Sequence, residues 1–241
     1  MKIIPKFIKS VVHSPSSTKA PLKNKPDSFG DKNISAPILN YSCKSSNQSD
    51  GLLDADFGNV DKFYVKSMRV GERERDQGNN VVYLSPEQRA NYELRPKDGL
   101  LFRKDGIIPI DTKHSYGNHS LLYVICEDKK IYSGRGAKYI LHHSSFLAGG
   151  DVLAAGKLMT SGGKVVFISN NSGHYRPSAQ YLLQAIKHFH DLGVLSPDAI
   201  IDFRHHGKLG LKEGLEVLKN DLLAQQNLAV HEGQDNTDAQ T

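Results

Sequence analysis

VLAAGKLMTSGGKVVFIS, residues 152–169, places two apolar runs on either side of Ser161-Gly162-Gly163. Two strand-length runs joined by glycines read as a β-hairpin, because glycine accepts the positive φ angles that a tight reversal needs. The design appears twice more upstream. GLLFRKDGIIPID (99–111) has Asp105-Gly106 between short apolar runs, and SLLYVICEDKKIYSG (120–134) has a polar turn at Glu127 to Lys129. Three successive hairpins predict an antiparallel sheet. Downstream of the quoted stretch, NNSGHYRPS (170–178) is rich in turn formers and leaves His174 and Tyr175 at a strand end.

After Pro177 the period changes. Tyr181, Leu182, Ala185, Ile186 and Phe189 fall at helical spacing, with Gly193 placed to end the helix. AIIDFRHH (199–206) reads as another strand, and Leu211, Leu215, Leu218 and Leu222 form one face of a last helix. Upstream, Ser85-Pro86-Glu87-Gln88 has the form of a helix start, with Ser as N-cap, Pro at the first helical position and Gln three residues past the cap. The expected class is therefore α+β: antiparallel hairpins forming a sheet, with two later helices packed on it. No repeat of 20 to 50 residues is present.

Composition divides the 241 residues into parts. Residues 1–50 hold 8 Lys, no Arg, 10 Ser and 5 Pro, a composition that builds no packed core and reads as a disordered basic leader. Residues 51–228 are expected to form one α+β domain, and 229–241 a polar disordered tail. Two cysteines, Cys43 and Cys126, rule out a disulfide-dense scaffold. No run approaches the roughly 20 apolar residues of a membrane-spanning helix. The leader is compatible with a non-cleaved signal for export into a host cell.

Charge is distributed unevenly. Residues 129–190 carry eight Lys or Arg against one acid, Asp151, a balance of +7, while 191–241 stand at −5. A basic segment of this kind is expected to present a concave surface to a phosphate-bearing ligand or an acidic partner protein, with no nucleic acid among the partners. It contains HHSSFLAGGDVLAAGKL (142–158), read as a strand whose alternation sends neighbouring side chains to opposite faces. Ser144, His174 and Asp151 are the candidate catalytic residues. Arg135, His142, His143, Ser145, Tyr175 and Arg176 are the candidates for holding a cofactor, with NAD expected. No HExxH or paired CxxC spacing appears, so no metal is expected. A P-loop, a dinucleotide fingerprint and a GxSxG elbow are likewise absent.

YLSPEQRANYEL, GLLFRKDG, HHSSFLAGGDVLAAGKL, GGKV and SGHYRPS, in this order, resemble the core of the plant IQM calmodulin-binding proteins and of fungal and bacterial relatives. HSSFLAGG and SGHYxP are the most specific blocks, and the resemblance runs from about Val81 to Val194. In the plant proteins calmodulin binding belongs to a separate IQ motif, and this chain has no I/V-Q-x-x-x-R-G pattern. Lys157 stands where many members place Glu, so no carboxylate role carries over there.

Two functions follow as expectations. The first is a secreted, effector- or toxin-like NAD-dependent ADP-ribosyltransferase modifying a host protein. Cleaving the nicotinamide bond calls for a carboxylate beside an oxocarbenium-like centre, by the logic of glycoside hydrolysis. The alternative is a non-catalytic binding module of the IQM type that recognises an acidic protein such as calmodulin or another small acidic protein.

Overall fold

A computed structural model of the chain describes residues 57, 60, 62–112, 120–138, 140–203 and 206–238. The leader and Cys43 lie outside them, as do Arg204 and His205. All described residues fall within one unit, Cys43–Thr241.

The strands are β1 (Glu93–Lys97), β2 (Leu100–Phe102), β3 (Leu121–Ile125), β4 (Ile131–Gly134), β5 (Ala154–Ser161), β6 (Lys164–Ser169), β7 (Leu195–Phe203) and β8 (Gly207–Gly210). They form one sheet in the order β2-β1-β4-β3-β5-β6-β7-β8. The helices are α1 (Glu72–Gly78), α2 (Pro86–Arg89), α3 (His143–Phe146), α4 (Ala179–Asp191) and α5 (Leu211–Asp238). Every strand pair is antiparallel except β6–β7. A parallel pair needs a crossover, and α4 supplies it. The fold is α+β, with a mostly antiparallel sheet and helices packed on it.

The turns follow from local chemistry. The β5–β6 reversal uses Gly162 and Gly163 at φ +55 and +85. α2 starts at Ser85, whose hydroxyl accepts from the Gln88 backbone N–H at 3.3 Å while the Gln88 side chain accepts from the Ser85 backbone N–H at 2.9 Å. The first hairpin differs from expectation. The chain reverses at Asp98-Gly99, both with positive φ, and joins β1 to β2. Past Asp105-Gly106 the return strand is reduced to an isolated bridge from Phe102 to Pro109. Pro109 brings no backbone N–H to continue a ladder.

Alternation along the strands gives the sheet two apolar faces. One buries Leu121, Tyr123, Ile125, Leu158 and Ile168 under α4 and α5, which contribute Leu182, Ile186, Phe189, Leu211, Leu215 and Leu218. Each such side chain, fully buried, stabilises the fold by about 1.5–3 kcal/mol. The other face buries Val124, Tyr132 and Ala155 against Leu84, Phe146 and Tyr175. Helix α5 runs on to Asp238, through the stretch from 229 that the sequence reads as a polar tail. Extending an anchored helix costs far less than nucleating a new one. No described helix is long and apolar enough to cross a membrane.

Candidate functional site

The quoted HHSSF is not a strand. His143–Phe146 form a single helical turn, and the expected alternation of faces gives way to four buried side chains. The Ser145 hydroxyl accepts from the His142 backbone N–H at 2.9 Å, which favours the helical start over an extended run. The turn closes at Ala148 and Gly149, with φ +50 and +75. There the Gly149 N–H reaches the Ser144 carbonyl at 2.8 Å, and Arg73 donates to the carbonyls of Ala148 and Gly149. Gly149 suits this position because L side chains rarely adopt its φ of +75, and the absence of a Cβ also lets the Arg73 guanidinium come close.

At the centre of this region is Asp76, a residue of α1 that no sequence motif marks. Its side chain is buried, yet the carboxylate is fully engaged. Ser144 Oγ donates to Oδ2 at 2.6 Å, Tyr83 OH donates to Oδ2 at 3.0 Å, and His174 Nε2 donates to Oδ1 at 2.8 Å. His142 Nδ1 stands 3.6 Å from the same Oδ1. Burial pushes the Asp76 carboxyl up, but the hydrogen bonds from Ser144, His174 and Tyr83, with the charge of His174, outweigh it and leave the carboxyl below its ordinary range. Glu72, one turn earlier on α1, pairs with Arg69 and Arg75. Its Oε2 lies 4.0 Å from His174 Nε2.

The remaining candidates divide between this cluster and the scaffold. His143 is buried and donates from Nε2 to the Gly156 carbonyl at 2.8 Å, and burial pushes its pKa down to about 4, so it is neutral at pH 7. Tyr175 is buried and donates to the Gly150 carbonyl at 2.7 Å. Ser144 and Ser145 are both 0% exposed. Asp151, Arg135 and Arg176 are exposed. The structure thus joins His142, Ser144 and His174 around Asp76, and sets His143, Ser145 and Tyr175 to holding the turn and sheet. It leaves Asp151 outside the cluster.

The basic segment does not form one concave surface. Lys187 pairs with Asp191 and lies over the Phe57 ring on the α4 side, and Lys129 lies over Phe63 next to His188. Lys157 is on the opposite side, near His143. Register explains the split, because Lys157 shares its face with Leu122 and Ser169 while α4 covers the other.

Among the described residues, Asp76, His142 and His174 are the group of three whose ligand atoms, all within 4.8 Å of one another, could hold a metal ion. Sequence spacing gave no sign of it, since the three lie on α1, before α3 and after β6.

Residues 88–182 match the family described as the IQ motif-containing protein middle domain. The central part of the chain is similar to the IQM-type middle domain. IQ domain-containing protein IQM3 of Arabidopsis thaliana is 41% identical over 98 residues, which are 41% of this chain and 22% of the relative. IQM2 of the same plant is 35% identical over 101 residues, 42% of this chain and 17% of the relative. IQM1 is 35% identical over 98 residues, 41% and 20% respectively. The chain spans about a fifth of the length of these relatives. No solved structure gives a significant match.

This IQM-type match overturns the expected NAD-dependent ADP-ribosyltransferase, and the effector, toxin and secretion roles fall with it. The reason sequence reasoning went astray is physical. It took Ser144 and Ser145 for side chains of an open strand facing a ligand, whereas both hydroxyls are enclosed and bonded within the protein.

Proposed function

We propose that this chain is a non-catalytic recognition module built on the IQM-type middle domain, and that it binds an acidic partner protein. The observation that carries the reading is the match over residues 88–182, which takes in most of the basic segment. The chemistry of the cluster supports it. Ser144 is fully enclosed and donates its hydrogen bond to Asp76, and the carboxylate at the centre already accepts from three donors.

Sheet register supports a particular surface. Gly134, Leu122, Lys157 and Ser169 form one row across β4, β3, β5 and β6. Strands β4 and β6 both end in that row, β4 two strands and β6 one strand from Lys157, and the chain continues from them to Arg135 and to the loop bearing Arg176. Our reading assigns carboxylate recognition to these three cations, Arg offering a planar fork of donors. Family resemblance makes calmodulin the natural acidic probe. Without an I/V-Q-x-x-x-R-G motif in this chain, the folded surface itself would carry the contact.

Calorimetric titration of the full chain with calmodulin, in calcium and in chelator, tests this. The expected result is saturable binding that weakens with salt and falls at least about tenfold in Arg176→Glu, since electrostatic contacts of this kind are screened. No saturable binding at low salt in either buffer, or binding indifferent to both salt and the charge reversal, would overturn it.

A further inference from the structure

We propose that Asp76, His142 and His174 form a site for a single zinc ion that clasps α1 to the rest of the domain. This inference stands independently of the partner-binding reading.

The three side chains come from distant parts of the chain, and their ligand atoms converge on Asp76 Oδ1. His174 Nε2 is 2.8 Å from it, and His142 Nδ1 is 3.6 Å away. Zinc bonds of about 2.1 Å in a tetrahedron place ligand atoms about 3.4 Å apart, so the observed separations bracket what the ion requires. All three ligand atoms lie within 4.8 Å of one another.

Division of labour within the carboxylate points the same way. Oδ2 is held by two hydroxyl donors, Ser144 at 2.6 Å and Tyr83 at 3.0 Å, which fix the plane of the group and leave Oδ1 to face the imidazoles. Hydrogen bonds of this kind, made to the ligand and not to the metal, are what orient a coordinating carboxylate. Two imidazoles and one carboxylate are a donor set for a borderline divalent ion, and they exclude magnesium and calcium, which demand oxygen. Partial exposure of both rings, 23% for His142 and 14% for His174, leaves an entry path and room for a water as fourth ligand. Glu72 stays with its two arginines.

The site would act as a structural tie. Helix α1 holds to the domain through Asp76, Arg73 and few apolar contacts, so an ion bound by groups on three segments stabilises the folded state by mass action.

The test is equilibrium dialysis of the full chain against zinc with metal analysis, a cobalt(II) visible spectrum, and X-ray absorption of the zinc-loaded protein. We expect one equivalent of zinc, intense cobalt d–d bands, and a first shell of two imidazole nitrogens plus oxygen. His142→Ala and His174→Ala should each lower zinc affinity at least tenfold with unchanged far-UV circular dichroism. Less than half an equivalent bound by the wild type, a first shell containing sulfur or fewer than two imidazoles, or full affinity retained in either folded variant would overturn the proposal. The absorption measurement needs no variant, so the test survives if both substitutions unfold the chain.

Discussion

Replacing Asp76 by Ala removes the acceptor shared by Ser144, Tyr83 and His174 and leaves these three donors without it. Ser144 is fully enclosed, and an orphaned buried hydroxyl costs about 1–3 kcal/mol. Tyr83 and His174 lie closer to water and can recover part of their loss, so each adds about 1 kcal/mol. The sum is a destabilisation of roughly 3–5 kcal/mol, a large share of a domain stability of about 5–15 kcal/mol. Urea denaturation of the full chain in metal-free buffer would read it as a lower midpoint with an unchanged slope. A cycle with Ser144→Ala sharpens the point. Once the carboxylate is gone the serine hydroxyl has nothing to bond, so its removal should cost less in the Asp76→Ala background, with a coupling of about 1–2 kcal/mol. A loss below about 1 kcal/mol for Asp76→Ala, or strict additivity with Ser144→Ala, would refute the reading of Asp76 as the hub.

Acid should weaken the fold well above the carboxylate range. Buried His143 has its pKa pushed down from 6.5 to about 4, so the unfolded chain takes up the proton first as pH falls. The contribution of His143 is complete above about pH 6.5 and declines toward pH 4, by about 3 kcal/mol in full. His142 and His188, both lowered chiefly by burial, act in the same direction. Denaturation midpoints that stay flat between pH 7.5 and 5 would count against this assignment. Gly156→Ala should unfold the domain or lower its melting temperature sharply, because a Cβ there would lie 1.8 Å from the Ser169 carbonyl oxygen, a backbone atom of the neighbouring strand. Overpacking of this order costs about 3 kcal/mol or more. A melting temperature within a few degrees of wild type would show that β5 and β6 separate more readily than their pairing implies.

Much of the architecture was written in local signals. The Ser161-Gly162-Gly163 turn, the Ser85 capping box and the Leu182, Ile186, Phe189 face each depend on a few neighbouring residues, and each formed where those residues placed it. Asp98-Gly99 carries the same hairpin chemistry as Asp105-Gly106 and makes the reversal, with Pro96 in β1, the strand next to the edge strand β2. HHSSF had no local signature that separates one helical turn from a short strand. A run of four residues is too short to show a period, and its conformation is decided by Ser145 and Gly149.

The polar cluster was half legible. His142, Ser144 and His174 stood out by type and by setting, in a segment rich in glycine and poor in acids. Asp76 did not, since GERERDQG (71–78) reads only as a charged surface helix with arginines three residues from glutamates. What makes it central is a contact 68 residues away in sequence with Ser144 and another 98 residues away with His174. No pattern confined to a short window encodes a pairing at that range.

The family match begins at residue 88, and Asp76 precedes it. Conserved-domain boundaries are drawn where sequence similarity fades, but here the physical unit starts earlier, because the matched segment contributes only donors and borrows its acceptor from outside. Strands β7 and β8 and helix α5 lie beyond residue 182 and complete one apolar face in the same manner. Any excised version of the domain, whether for binding studies or for grafting into another protein, must therefore carry α1 at one end and α5 at the other. Between those limits Ser144 and His174 keep their shared acceptor; inside the narrower ones they lose it.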